Sequence, residues 1–215
     1  MKFMFSEYTD VGRRRRNNED RVTARLSDGR SVFAVSDGMG GHRSGDVAAE
    51  RVLDTFVRET LAGRPLVDAA RSANEAAVAI EGRVSVGSPG ATLTALVFDA
   101  DTATIVHAGD SAAWRLSASG VFEKLTQDDA TVLGYITNYC GIGSDFYVRV
   151  TDVQVRQGDM FLVATDGLTK HVEETEIAAA LRDWPAAKIA RRLVMWANDR
   201  GGFDNTSAVA VEVLE

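Results

Sequence analysis

The strongest constraint on this chain is the order of its apolar patterns: strands come in blocks and helices come in pairs. Lys2 to Thr9, Arg21 to Leu26 and Ser31 to Ser36 read as strands, and the last ends at Asp37-Gly38. Asp28-Gly29, between the second and third, is a hairpin signal. Two helical stretches follow. One opens at Ser44 or Gly45 and carries Val47, Ala48, Val52, Leu53, Phe56 and Val57 at helical spacing; the other runs from about Pro65 to Val84. A second strand block covers Ala91 to Phe98, Thr104 to Ala108, Ala113 to Ser117, Val121 to Leu125, Val148 to Val155 and Met160 to Ala164. A second helix pair, near Glu173 to Leu181 and Ala186 to Asn198, precedes a last strand from Ser207 to Leu214. The links between strands within a block are mostly shorter than the dozen or so residues a parallel crossover needs, which favours antiparallel pairing. The expected fold class is therefore α+β, with antiparallel sheets stacked between helices.

Nothing divides the chain. It has no repeat or low-complexity tract, and its three prolines, Pro65, Pro89 and Pro185, stand at element boundaries. One domain over residues 1–215 is expected, large enough to bury a substantial core. The 24 basic and 31 acidic residues leave a net charge of -7, which argues against nucleic acid as a partner. No apolar run approaches the ~20 residues of a membrane span, and Met1 to Asp10 lacks the apolar core of a secretory leader. Membrane partners are therefore not expected, and a cytoplasmic location is. The single cysteine, Cys140, excludes an internal disulfide, and His42, His107 and His171 show no zinc-ligand spacing.

The acids are placed rather than scattered. Asp37, Asp110 and Asp166 each follow an apolar strand-like run, and Asp204 precedes the final one. Carboxylates gathered at strand ends raise one another's pKa, and a hard divalent cation with oxygen ligands relieves that repulsion. Glycines after Asp37 and Asp166 allow a sharp turn that brings a backbone carbonyl towards the ion. An Asp-Gly step taken singly is ordinary turn chemistry, so the weight lies in the matching context of the four. Ahead of them stands Arg13-Arg14-Arg15-Arg16, followed by Asn17-Asn18-Glu19-Asp20. Such a run is either a solvated basic face or the source of a guanidinium fork for an anion.

Taken in order, these segments resemble the type-2C, metal-dependent protein serine/threonine phosphatases. The matching residues are Gly12-x-x-Arg15-x-x-Asn18-Glu19-Asp20, Val35 to Gly41 with Gly45, Gly90-Ala91-Thr92, Gly109-Asp110-Ser111, Leu125-Thr126-x-Asp128, Thr165 to Leu168 and Asp204-Asn205-Thr206-Ser207. The resemblance implies a four-layer α-β-β-α sandwich with two Mn²⁺ or Mg²⁺ ions between the sheets. It implies that Asp37 bridges the ions, that the Gly38 carbonyl binds one, and that Asp166 and Asp204 complete the ligands. Glu19 and Asp20 would hold metal waters, with Asn205 in support, and Arg15 would grip the substrate phosphate. Asp110, with Asp166, would bind a third, weaker ion. The implied reaction is attack of a metal-activated water on phosphoserine or phosphothreonine, with no protein nucleophile. The implied partners are phosphoproteins made by a serine/threonine kinase, met by a monomer.

The chain departs from the family in three places. Ala112 stands where arginine usually follows Gly-Asp-Ser, Asp129 and Ala130 stand where His and Ser usually follow, and the flap from Asp128 to Gly143 is short. Met39 replaces the histidine of many eukaryotic members. These departures keep open a second reading, a pseudophosphatase that binds phosphoproteins with little turnover. A metal-dependent nuclease would also use clustered aspartates, but the net charge and the ordered motifs speak against it.

Overall fold

The computed structural model describes residues 1–39, 44–80 and 89–214. The chain runs β1 (Phe3–Asp10), β2 (Arg21–Arg25), β3 (Ser31–Ser36), β4 (Gly38–Met39), α1 (Gly45–Leu61), α2 (Leu66–Val78), β5 (Gly90–Ala91), β6 (Leu93–Asp99), β7 (Thr102–Ala108), β8 (Ala112–Leu116) and β9 (Phe122–Lys124). A single 3-10 turn (Gly143–Asp145) then precedes β10 (Arg149–Gln154), β11 (Met160–Ala164), α3 (Asp166–Thr169), α4 (Glu174–Asp183), α5 (Ala186–Asp199) and β12 (Thr206–Val213). The first sheet has the order β1-β12-β11-β8-β9 and the second β10-β7-β6-β3-β2. All pairings between these strands are antiparallel.

Period-two alternation in the central strands builds the layers. In β3, Val32 and Ala34 face the first helix pair, while Phe33 and Val35 face the other sheet. In β12, Ala208 and Ala210 face α4 and α5, while Val209, Val211 and Val213 point inward. Small alanines on the helix side let α5 seat closely, and the bulky set fills the space between the sheets. The result is three apolar layers, two of helix on sheet and one of sheet on sheet. The Phe98 ring meets Phe33 of its own sheet at 5.7 Å and Phe161 of the facing sheet at 5.3 Å, both edge-on. Burying such a ring contributes roughly 1.5–3 kcal/mol. The four-layer α-β-β-α sandwich implied by the sequence is the observed architecture.

Most element limits follow the sequence pattern. Pro65 and Pro185 are N-caps, as expected of a residue without an N–H to satisfy. The second helix is shorter than its periodicity suggests: it ends at Val78, and residues 81–84 of the expected helix lie outside the described residues. So do Gly40, Gly41 and His42. The four-residue helix α3, directly after β11, has too few positions to show a helical period.

Candidate functional site

Most of the expected residues meet at one cleft. A cleft of about 300 Å³ is lined by Arg15, Glu19, Asp37, Gly38, Asp110, Asp166, Lys170, Asp204 and Asn205, with Gly134 and Ile136 from the flap. The aspartates do not share the rim of one sheet. Asp37 follows β3 and Asp110 follows β7, both in the second sheet; Asp166 follows β11 and Asp204 precedes β12, both in the first. The cluster therefore spans the gap between the sheets, where side chains of opposite faces can converge.

Backbone contacts fix Asp37 and the turns around it. The Asp37 N–H donates to Thr92 Oγ1, and the Thr92 N–H donates to the Asp37 carbonyl, both at 2.9 Å. The Thr92 hydroxyl also meets Ser111 Oγ at 2.8 Å, which ties the turn carrying Asp37 to the turn carrying Asp110. Gly38 is required by close approach: a Cβ there would collide with the Gly45 carbonyl, and one on Gly167 would collide with the Asn205 carbonyl. Asn205 staples the N-terminal loop. Its Oδ1 accepts from the Glu19 N–H, and its Nδ2 donates to the Val11 and Asn17 carbonyls, all at 2.9 Å. Asp20 Oδ2 accepts from Thr165 Oγ1 at 2.8 Å and Ser207 Oγ at 2.7 Å.

The cleft is short of donors. Asp20 Oδ1, Asp110 Oδ1 and Asp166 Oδ1 are buried without a hydrogen-bond partner. Burial, then the charges of Asp20, Asp166, Asp110 and Asp204, push the Asp37 carboxyl well above its usual range. Burial and then Asp166 raise Asp110 to about 6. Burial raises Asp20 to about 7 against the hydrogen bonds of Ser207 and Thr165. Orphaned hard oxygens and mutually repelling carboxylates are the donor set that Mg²⁺ or Mn²⁺ takes. Among the described residues, no three carboxylate, imidazole or thiol groups are gathered tightly enough to enclose an ion without adjustment.

Two basic groups stand at the mouth. Arg15 Nη2 lies 2.9 Å from Asp204 Oδ1. Lys170 Nζ lies 2.6 Å from Asp166 Oδ2 and 2.9 Å from Asp204 Oδ2. Burial works against the ammonium, but Asp166 and Asp204 outweigh it and hold the Lys170 pKa above its ordinary value. The sequence reading missed Lys170; the available signal was its i,i+4 spacing from Asp166.

The base of the flap is organised by Asp129, whose role was also not foreseen. Its carboxylate accepts from the Gly109 N–H at 3.1 Å, Asn138 Nδ2 at 2.7 Å and the Tyr147 hydroxyl at 2.9 Å, and it pairs with Arg149. Its backbone N–H donates to the Gly109 carbonyl and its carbonyl accepts from Thr137, both at 2.7 Å. The short flap is thereby pinned to the residue preceding Asp110. His107 is buried between Thr94 Oγ1 at 2.9 Å and the Gln127 carbonyl at 3.0 Å. Cys140 is buried as well, its backbone bridged to Ala91, and burial pushes its thiol up, away from reactivity.

Known proteins resemble this chain in sequence and fold. The protein phosphatase 2C family profile matches residues 12–201. The serine/threonine protein phosphatase PstP of Mycobacterium tuberculosis is 31% identical over 98% of the chain, which spans 45% of that protein's length. The serine/threonine phosphatase stp of Listeria monocytogenes is 28% identical over 97% of the chain and 96% of its own. The catalytic domain of PstP in complex with two manganese ions superposes with a TM-score of 0.87 at 30% identity, covering 99% of both chains. The chain thus spans about half the length of the mycobacterial relatives and nearly all of the Listeria one. With the profile covering most of its length and the four-layer sandwich around an acidic cleft in place, the chain belongs to the protein phosphatase 2C family.

Proposed function

We propose that residues 1–215 act as one catalytic domain that hydrolyses phosphoserine and phosphothreonine in proteins. The observation that carries this is the meeting of Asp37, Asp110, Asp166, Asp204 and Arg15 around one cleft in a member of this family. Asp37, Asp166, Asp204 and the Gly38 carbonyl hold two divalent ions, Mn²⁺ or Mg²⁺, and Asp110 with Asp166 serves a third. Such ions, when bound, supply Lewis-acid activation of the attacking water and neutralise phosphoryl charge. Glu19 and Asp20 orient water at the cleft floor, and Asn205 holds the backbone of Glu19 for that task. Arg15, half exposed at the mouth, offers its planar fork to the phosphate, a geometry suited to bidentate contact with two oxygens. With Met39 next to Gly38, no side-chain acid is assigned to the leaving oxygen.

Among the described residues no helix is long and apolar enough to cross a membrane. The reading takes the chain as a cytoplasmic monomer acting on the products of a serine/threonine kinase. The test is hydrolysis of a phosphothreonine peptide with Mn²⁺, with excess EDTA, and by Asp37→Asn. Turnover is expected only in the first case. Activity that survives both chelation and the substitution overturns the reading. Tight phosphopeptide binding without turnover would instead favour the pseudophosphatase, for which the short flap and Ala112, Asp129 and Ala130 are the motive.

A further inference from the structure

Lys170 deserves a role of its own, because it reaches two carboxylates at once. Asp166 opens α3 and Lys170 ends it one turn later, and the Lys170 N–H donates to the Asp166 carbonyl at 3.0 Å. That bond fixes the lysine backbone so that its side chain returns over the face carrying Asp166. Asp204 arrives from the bend that leads into β12, the neighbour of β11, and Nζ meets both carboxylates, at 2.6 Å and 2.9 Å. The side chains of Asp166 and Asp204 are 20% and 17% exposed against 46% for Lys170, so the lysine enters from the solvent side on a flexible stem. Arg15 and the Asn205 N–H use the other oxygen of Asp204.

From this geometry, and resting on the reading of Asp166 and Asp204 as metal ligands, we propose that Lys170 is an internal counter-cation of that pair, displaced when a divalent ion binds. A compact ammonium and a hard cation seek the same carboxylate oxygens, and like charges cannot share them at contact distance. The lysine keeps the two acids paired in the metal-free protein and makes each metal-binding event an exchange. It thereby sets the metal affinity of the centre. The four-carbon stem lets the ammonium swing away from the two carboxylates into solvent.

The experiment measures Mn²⁺ binding by calorimetry and thermal unfolding in EDTA for the wild type, Lys170→Met, Lys170→Arg and Arg14→Gln. Arg14 is the control for charge alone, because its guanidinium lies over the Phe203 ring. Lys170→Met is expected to bind Mn²⁺ on the order of tenfold more tightly, and to melt a few degrees lower without metal. Lys170→Arg, which keeps the charge and folds with the same pairs, is expected to bind no more tightly than wild type. Unchanged affinity in Lys170→Met, or a gain matched by Arg14→Gln, overturns the proposal. Weaker binding also overturns it, since the lysine then orients Asp166 for the ion. If the wild type takes up no Mn²⁺, the metal-site reading itself fails, a result distinct from these.

Discussion

The cleft floor and the flap base both bury aspartates, and they treat them oppositely. Asp129 is 2% exposed. Burial pushes its carboxyl up, but hydrogen bonds from Asn138, Gly109, Arg149 and Tyr147 outweigh it and hold it below the ordinary 3.8. At the floor, Asp37 has its backbone anchored by Thr92, yet its carboxylate faces Asp20, Asp166 and Asp110 and is driven up. Burial acts in the same direction on both; the supply of donors decides the outcome. A buried carboxylate saturated with donors is a fastener. One held among other carboxylates costs stability, and a chain of modest stability keeps such a group where the charge is used.

The contrast is sharpest under substitution. Asp37→Asn removes a charge that the fold resists but the proposed chemistry needs. Phosphatase kcat/KM is expected to fall by about a thousandfold or more, while the melting temperature in EDTA holds or rises. A variant that unfolded instead would make Asp37 a fastener and erase the distinction. Asp129→Ala is the converse. It leaves Arg149, Asn138, the Tyr147 hydroxyl and the Gly109 N–H without their shared acceptor. The expected loss is about 3 kcal/mol of unfolding free energy, seen as a lowered denaturant midpoint at unchanged slope. Activity per folded molecule is expected to fall far less than in Asp37→Asn.

Thr92→Val lies between these. It keeps side-chain volume and removes the acceptor for the Asp37 N–H and the contact to Ser111. A cost of about 1–2 kcal/mol is expected. Because Thr92 joins the turns of Asp37 and Asp110, Mn²⁺ binding measured by calorimetry should weaken too. Unchanged metal affinity would confine Thr92 to the fold.

The sequence carried the two regions unequally. Ser31–Ser36 and Met160–Ala164 fold as strands at the limits read from their patterns, since each is an uninterrupted apolar run stopped by polar residues. Asp37, Asp110, Asp166 and Asp204 stood out because turn residues at strand ends are visible locally. Which sheet each belongs to was not visible. That depends on β12 lying between β1 and β11, a pairing across most of the chain that no local window contains. Asp129 was legible only as a departure from the family. Its partners Asn138 and Tyr147 lie in an irregular stretch without periodicity, and Arg149 opens an edge strand. Lys170 had only a spacing, and its second partner, Asp204, is brought to it by the fold.

The smallest expected effect is also the most direct comparison, because pH acts on both regions at once. A carboxylate with a lowered folded pKa supplies stability above its unfolded value and loses it as pH falls through the folded one. Asp129 should therefore support the fold above about pH 4 and fail below it. A carboxylate with a raised folded pKa does the reverse: its contribution is full below the unfolded value and lost as pH rises through the folded one. Asp110, raised from 3.8 to about 6, should favour the fold in acid and cease to do so above about pH 6. In EDTA, unfolding free energy should thus peak at about pH 4, falling below it as Asp129 takes up a proton and falling above it as Asp110 loses one. Asp129→Asn should flatten the acid limb and leave the alkaline one, whereas Asp110→Asn should make the alkaline limb shallower, with Asp20 and Asp37 still contributing to it, and leave the acid one. Urea titrations across this range separate the two variants. If both change the same limb, the floor and the flap base are one electrostatic unit, and the division between fastener and binding carboxylate fails.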